Sequence, residues 1–262
     1  MVKWDPVRYA QSSSAQVAWA KEIVEKLDLT GKEHILDLGC GDGKVTVELL
    51  SHVPSGSVTG MDSSAEMISY AKETYPPELY PGLSFIQADA RTFAVDRQAH
   101  LVFSSAAIHW IDDQKSVLKR VHGALLTGGR LIATTGGTGN AAGIIASVTE
   151  ITKRPLWAPY FAGFEAPYFF RGPEEYFQWL RAARLTPLRV ALVEKEMVHK
   201  DRAGLAAWVR TTWMPFTERI PEEGREEFIK EVVDCYIDTH PVDETGATHV
   251  KMVRLEVEAI KE

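Results

Sequence analysis

The residues best placed to do chemistry begin with ILDLGCGDG, residues 35–43. An apolar run ends at Asp37, and Gly39, Gly41 and Gly43 then alternate before a helical segment. Glycine has no Cβ, so such a turn lets backbone approach a ligand closely. The N-terminus of the helix behind it offers free N–H groups to an anion. A dinucleotide-binding turn has the pattern G-x-G-x-x-G. Here the spacing is G-x-G-x-G, with Lys44 where that pattern wants its third glycine. Asp37 adds nothing to an anion site but suits a ligand that carries an ammonium group. S-adenosylmethionine (SAM) has an ammonium, a carboxylate and a sulfonium, and no phosphate.

Two further acidic residues follow predicted strands. Asp62 closes SVTGMD, where a carboxylate can accept hydrogen bonds from both ribose hydroxyls. Asp89 closes LSFIQAD, where it can accept from an adenine amino group while the Ala90 N–H serves a ring nitrogen. Ser63 with Glu66 three residues later reads as a capping box, with Met67, Ile68 and Ala71 on the helix face behind it. His109 could act as a general base, as a pocket contact or as a structural residue. Arg171 and Arg210 are candidate partners for an anionic substrate, because the guanidinium fork can bind two carboxylate oxygens. No zinc-ligand spacing and no HExxH is present, so no metal is expected.

The elements that must position these groups alternate. Predicted strands are 34–39, 57–62, 83–89, 101–106 and 130–135, with helices at 17–27, 44–50, 64–71 and 113–126 between them. Gly128-Gly129 is read as the stop of the last of these helices. Repeated strand–helix units imply an α/β fold, a parallel sheet with helices on both faces. After Gly136 the rhythm breaks. A helix at 142–152, an aromatic segment at 157–170, a helix at 173–185, a strand at 188–198 and two or more helices over 201–239 precede a last strand at 250–260. The aromatic segment can be core, a dimer contact or an apolar pocket wall.

The whole composition bounds the reading. The chain has 262 residues and a formal net charge of −7, with 45% hydrophobic and 25% charged residues. This is an ordinary globular composition with no basic excess for nucleic acid. Two cysteines, Cys40 and Cys235, make no disulfide framework. The N-terminal MVKWDPVRYAQ lacks the apolar core of a signal peptide, and no stretch reaches the roughly 18 apolar residues of a membrane span. The expectation is a cytoplasmic monomer or homodimer that acts on a small molecule.

The sequence resembles the class I SAM-dependent methyltransferases through ILDLGCGDG, GMDSSAEMI, FIQADA, HWIDD and LLTGGRLIAT. Trp4-Asp5-Pro6 with Tyr9, SSAAIHWIDD and WVRTTWMPF are similar to the trans-aconitate methyltransferases, which form a monomethyl ester of a tricarboxylic acid. The first half is also similar to juvenile-hormone-acid methyltransferases. The resemblance implies a Rossmann-like seven-stranded sheet, mostly parallel, with an antiparallel last strand. It implies a single domain over 1–262, with a lid and helix at 1–30, a SAM-binding core at 31–136, substrate-cover helices with a strand at 141–245, and the last strand at 249–260. Asp37, Gly39, Cys40, Gly41, Asp62, Ser63, Met67, Asp89 and Ala90 would touch the cofactor. Ser104, taken to follow the fourth strand, would meet its methionine part. Tyr9, His109, Trp110, Arg171 and Arg210 would form the substrate side.

The implied reaction is in-line methyl transfer to a carboxylic acid by positioning. The alternatives are N- or C-methylation with His109 as base, and a SAM-binding sensor or partner subunit without turnover.

Overall fold

A computed structural model describes residue 6 and residues 14–262. The lid expected around Trp4 and Tyr9 lies outside the described residues. Two compact units are present. The described residues up to Thr138, with Tyr168–Val193 and Arg254–Glu262, form the first; Gly139–Pro167 and Glu194–Val253 form the second.

The elements of the first half follow the chain as α1 (Ser14–Val24), β1 (His34–Leu38), α2 (Lys44–Ser51), β2 (Ser57–Asp62), α3 (Ala65–Thr74), β3 (Leu83–Gln87), β4 (Ala99–Ser105), a 3-10 turn (Ile108–Trp110), α4 (Gln114–Ala124) and β5 (Leu125–Gly136). Then come α5 (Ala142–Thr152), a second 3-10 turn (Ala158–Phe161), α6 (Pro173–Ala182), β6 (Thr186–His199), α7 (Arg202–Thr212), α8 (Met214–Thr217), α9 (Glu222–Thr239) and β7 (Thr248–Ile260). The seven strands form one sheet in the order β3-β2-β1-β4-β5-β7-β6. The pairings from β3 to β5 are parallel, and β5 with β7 is antiparallel.

All five residues of β1 are buried, as a central strand covered on both faces requires. The period-two alternation of a strand sends Ile35 to one apolar cluster, with Leu49, Val58, Ile68 and Phe103. It sends Leu36 and Leu38 to the other, with Val102, Leu118, Leu131 and Tyr176. Strand β1 has β2 on one side and β4 on the other, so chain progression reverses there. In open α/β sheets the ligand crevice lies outside the carboxyl ends of the strands at such a switch point. The Gly39–Gly43 turn and the β4 exit stand at that place.

The second unit has its own aromatic core. Trp157 meets Phe228 edge-on with centroids 5.4 Å apart, Phe161 stacks on Phe228 at 5.6 Å, and Phe164 meets Phe216 at 5.0 Å. The aromatic segment therefore divides: its first part is core of the second unit, while Tyr168, Phe169 and Phe170 belong to the first.

Three local expectations are corrected. The N-cap of α3 is Ser64, not Ser63: its side chain accepts the Met67 N–H, and its hydroxyl donates to Glu66 at 2.9 Å. Ser63 is displaced because the Asp62 carboxylate accepts the Ser64 N–H at 2.9 Å and holds the chain extended one residue longer. Gly128-Gly129 do not stop α4, which ends at Ala124 with Leu125 already extended. They lie inside β5, where the register against β4 shifts and Gly128 takes φ +80°. Ser104 does not follow β4 but lies within it.

Candidate active site

The glycine turn is held from β2. The N–H groups of Gly39 and Cys40 both donate to the Met61 carbonyl, at 2.7 and 3.0 Å, and the Gly41 N–H donates to Asp62 at 3.0 Å. Gly39 has φ +79°, and a Cβ built on it would stand 2.1 Å from the Ala107 Cβ. Glycine is thus required here both by conformation and by the close approach of the loop after β4. A small pocket opens beside the turn, lined by Gln16 and Val17 of α1, Asp37, the turn from Gly39 to Asp42, Val45, and Ser105 and Ala106 after β4.

Asp37 is buried and accepts the Thr46 hydroxyl at 2.7 Å. Burial, with the nearby Asp62 carboxylate, pushes its pKa up to about 7. Burial likewise raises Asp62, opposed by the N–H groups of Ser64 and Gly41 that it accepts. No lysine or arginine lines the pocket among the described residues. The lining carboxylates are Asp37 and Asp42, the latter paired with Lys44 at 3.1 Å, and Asp62 holds the turn through the Gly41 N–H; an ammonium suits this set better than a phosphate. This donor and acceptor set fits SAM.

The sign of the Asp37 shift gives an expected outcome. Its folded pKa is raised, so in the free protein its contribution to stability is fully present below the ordinary carboxylate range. That contribution is lost as pH rises through about 7. A cationic ligand favours the ionised form, so binding lowers the pKa and releases a proton near neutrality. Calorimetry should show SAM affinity falling from pH 8 to pH 5.5. Asp37→Asn should bind weakly with little pH dependence, while melting above the wild type at pH 8. A wild-type affinity independent of pH would remove Asp37 from contact with the ammonium.

The other sequence-predicted cofactor residues are distributed as follows. Cys40 lines the pocket, and its thiol is pushed well up by burial. Met67 is buried behind the Ser64 cap, and Ser63 is exposed, its carbonyl accepting Gln87 Nε2 at 3.1 Å. Ser104 is fully buried and its hydroxyl donates to the Leu38 carbonyl at 2.8 Å, so Ser105 and Ala106 take the lining position instead. Asp89 is forked by Arg91, whose Nη2 lies 2.7 Å away, and Arg91 also reaches Asp112 at 3.1 Å. That guanidinium holds the Asp89 carboxyl below its usual range. Ala90 is buried beside it.

Three residues past Ala106 stands His109, on the 3-10 turn. Its Nδ1 lies 3.0 Å from the Thr135 hydroxyl and accepts the Gly136 backbone N–H at 3.2 Å. A backbone N–H can only donate, so Nδ1 must carry the lone pair and Nε2 the proton. Burial lowers the imidazole pKa to about 4. His109 is therefore neutral at physiological pH, with an N–H as its remaining polar function. Trp110 and Phe170 flank its ring, with centroids 5.6 and 5.5 Å away, and Tyr168 packs on Trp110 at 4.9 Å.

Arg171 follows directly. Its backbone pairs with Gly137, its guanidinium lies 5.9 Å over Trp179, its Nη1 is 3.6 Å from Glu175, and its Nε is buried without a hydrogen-bond partner. Arg210 is in the second unit, where Nε and Nη2 fork onto Glu226 at 2.8 and 2.5 Å. Sequence reading missed Thr46, Ser105, Ala106 and Thr135. A threonine on the apolar face of α2 was the available signal for Thr46; Ala106, with φ +55°, left none.

A seven-stranded sheet with this switch point, an acidic G-x-G-x-G turn and a carboxylate closing β2 define the class. The methyltransferase domain family matches residues 35–129. The chain is a class I SAM-dependent methyltransferase, and its cofactor is S-adenosylmethionine. A trans-aconitate 2-methyltransferase of Methylobacterium radiotolerans is 26% identical, over 100% of this chain and 99% of its own. An uncharacterized methyltransferase of Schizosaccharomyces pombe is 29% identical, over 88% of this chain and 87% of its own. In fold, the chain is similar to the YcgJ protein of Bacillus subtilis, with a TM-score of 0.65 at 14% identity, covering 93% of this chain and 97% of that one. Among the described residues, no helix is long and apolar enough to cross a membrane.

Proposed function

We propose that this methyltransferase esterifies a small-molecule carboxylic acid, and that His109 holds the acceptor as a neutral hydrogen-bond donor. The observation that carries this reading is the Gly136 N–H on His109 Nδ1. It occupies the nitrogen lone pair that a general base needs. An amine, phenol or carbon acid must lose a proton, and His109 in this tautomer cannot take it. A carboxylate, with a reference pKa of about 4, is ionised at neutral pH and needs no base.

SAM supplies an electrophilic methyl group on a sulfonium, open to in-line displacement. The chain has to bring the acceptor to near-attack distance and exclude water. In this reading Asp37 and Asp62 hold the ammonium and the ribose, the His109 Nε2–H meets one acceptor oxygen, and Trp110, Tyr168 and Phe170 form an apolar wall. Arg171 supplies the cation, since its Nε is unpartnered while Arg210 is already forked by Glu226. Arg171→Met should raise the KM for the acid about 10- to 100-fold at nearly constant kcat, the size of a hydrogen bond to a charged group. A KM like that of the wild type would return Arg171 to a structural role.

The full-length similarity to trans-aconitate 2-methyltransferases makes trans-aconitate the first acid to test, and the aromatic wall also suits acids with a more apolar body. We place the enzyme in the cytoplasm on its cysteine content. The test is incubation with labelled SAM and a carboxylic-acid library, with mass spectrometry locating the methyl group. An ester product supports the reading, and a methyl group on nitrogen or carbon overturns it.

A further inference from the structure

We infer that Gln114, anchored by Tyr176, is a positioning residue that fixes the orientation of the His109 imidazole. A glutamine side chain that is 1% exposed inside an apolar core needs its donors and acceptor satisfied. Here its Nε2 donates to the Ile108 carbonyl at 3.2 Å and to the Phe169 carbonyl at 2.9 Å. Its Oε1 accepts the Tyr176 hydroxyl at 2.7 Å, and Tyr176 is fully buried on α6.

The two carbonyls belong to the two backbone segments that hold His109. Ile108 immediately precedes it. Phe169 donates its own N–H to the His109 carbonyl at 2.8 Å and is followed by Phe170, whose ring packs on the imidazole. One amide group at the start of α4 therefore ties the 3-10 turn to the 168–170 segment, and Tyr176 ties that amide to α6. With both segments fixed, the imidazole stands where Nδ1 meets Gly136 and Thr135. Without them its ring and tautomer are free to change. Neither Gln114 nor Tyr176 lines the pocket beside the glycine turn, so the effect assigned to them passes through His109.

The inference rests on the reading of His109 as the acceptor contact only for its kinetic consequence. The structural part can be read without acceptor. Long-range proton–nitrogen NMR of the 15N-histidine protein, with His109 assigned by its absence in His109→Gln, reports tautomer and ring environment. In the wild type the Nε2–H form should persist from pH 5.5 to 8. In Gln114→Met, which keeps the size and removes the donors, the two nitrogen signals should move toward a tautomer average. Tyr176→Phe should move them in the same direction by less, and it decides the question if Gln114→Met does not fold. In activity with trans-aconitate, the KM should rise about tenfold, as for one charge-assisted hydrogen bond, while calorimetric SAM affinity stays as in the wild type.

A role confined to stability would lower the melting temperature and leave the His109 signals and the KM unchanged. Unchanged His109 signals in whichever of the two variants folds overturn the inference. Addition of trans-aconitate to the wild type separates the two ideas. If the His109 signals ignore it, the acceptor reading fails, while the variant spectra still judge Gln114.

Discussion

Gly39→Ala is expected to abolish SAM binding in calorimetry. The added Cβ would sit 2.1 Å from the Ala107 Cβ, far inside contact distance, and neither atom is the end of a flexible side chain. The left-handed φ of +79° adds roughly 1–2 kcal/mol of strain for any residue with a Cβ. Relief requires the loop after β4 to retreat. Ala106 lines the pocket on that loop, and His109 is two residues beyond Ala107. A loss of at least about a hundredfold, ~2.7 kcal/mol, follows if the backbone turn is the binding surface. Circular dichroism establishes that the variant is folded. Wild-type affinity in a folded Gly39→Ala would show that the turn does not meet the cofactor.

Asp62→Ala is the second large effect. Its two oxygens accept the Gly41 and Ser64 N–H groups, so the side chain braces both the glycine turn and the α3 cap. In the proposed site it also accepts from the ribose. Removing it should weaken SAM binding by about 1.5–3 kcal/mol, the range for hydrogen bonds to a charged group. Asp62→Asn, which keeps one acceptor oxygen, should lie between. An unchanged dissociation constant in folded Asp62→Ala would take Asp62 out of the site.

These two residues were legible in the sequence because their roles are local. Alternating glycines mark a backbone requirement, and a carboxylate closing an apolar run marks the carboxyl edge of a sheet. What was illegible depends on partners distant along the chain. Gln114 is an ordinary polar residue at a helix start until Phe169 and Tyr176, 55 and 62 positions away, are brought to it. The role of His109 was open because its tautomer is set by Gly136, on the next strand. Arg210 is a candidate anion contact in the sequence, and its fork onto Glu226 is illegible there because Glu226 lies on another helix. The α3 cap falls one residue after Ser63 and β4 runs one residue past Ser104, and such single-residue shifts matter because neighbouring residues of an extended chain point to opposite sides. The aromatic segment gave no sign that Trp157 packs on Phe228 in the second unit while Phe170 stands on His109 in the first, since aromatic residues satisfy any apolar surface equally.

The proposed reaction is methyl transfer to a carboxylate by positioning, without a general base. The most direct test is kcat for His109→Gln against pH, from 6 to 9 at saturating SAM, with trans-aconitate or the acid identified by product analysis. Glutamine keeps an N–H donor and loses proton chemistry. An ester product, a flat profile for both proteins and a loss of less than about tenfold are expected, well under the roughly 10²–10⁴-fold of a positioned acid or base. A thousandfold fall in kcat with loss of the pH dependence, or a methyl group on nitrogen or carbon, would contradict it and make His109 the base.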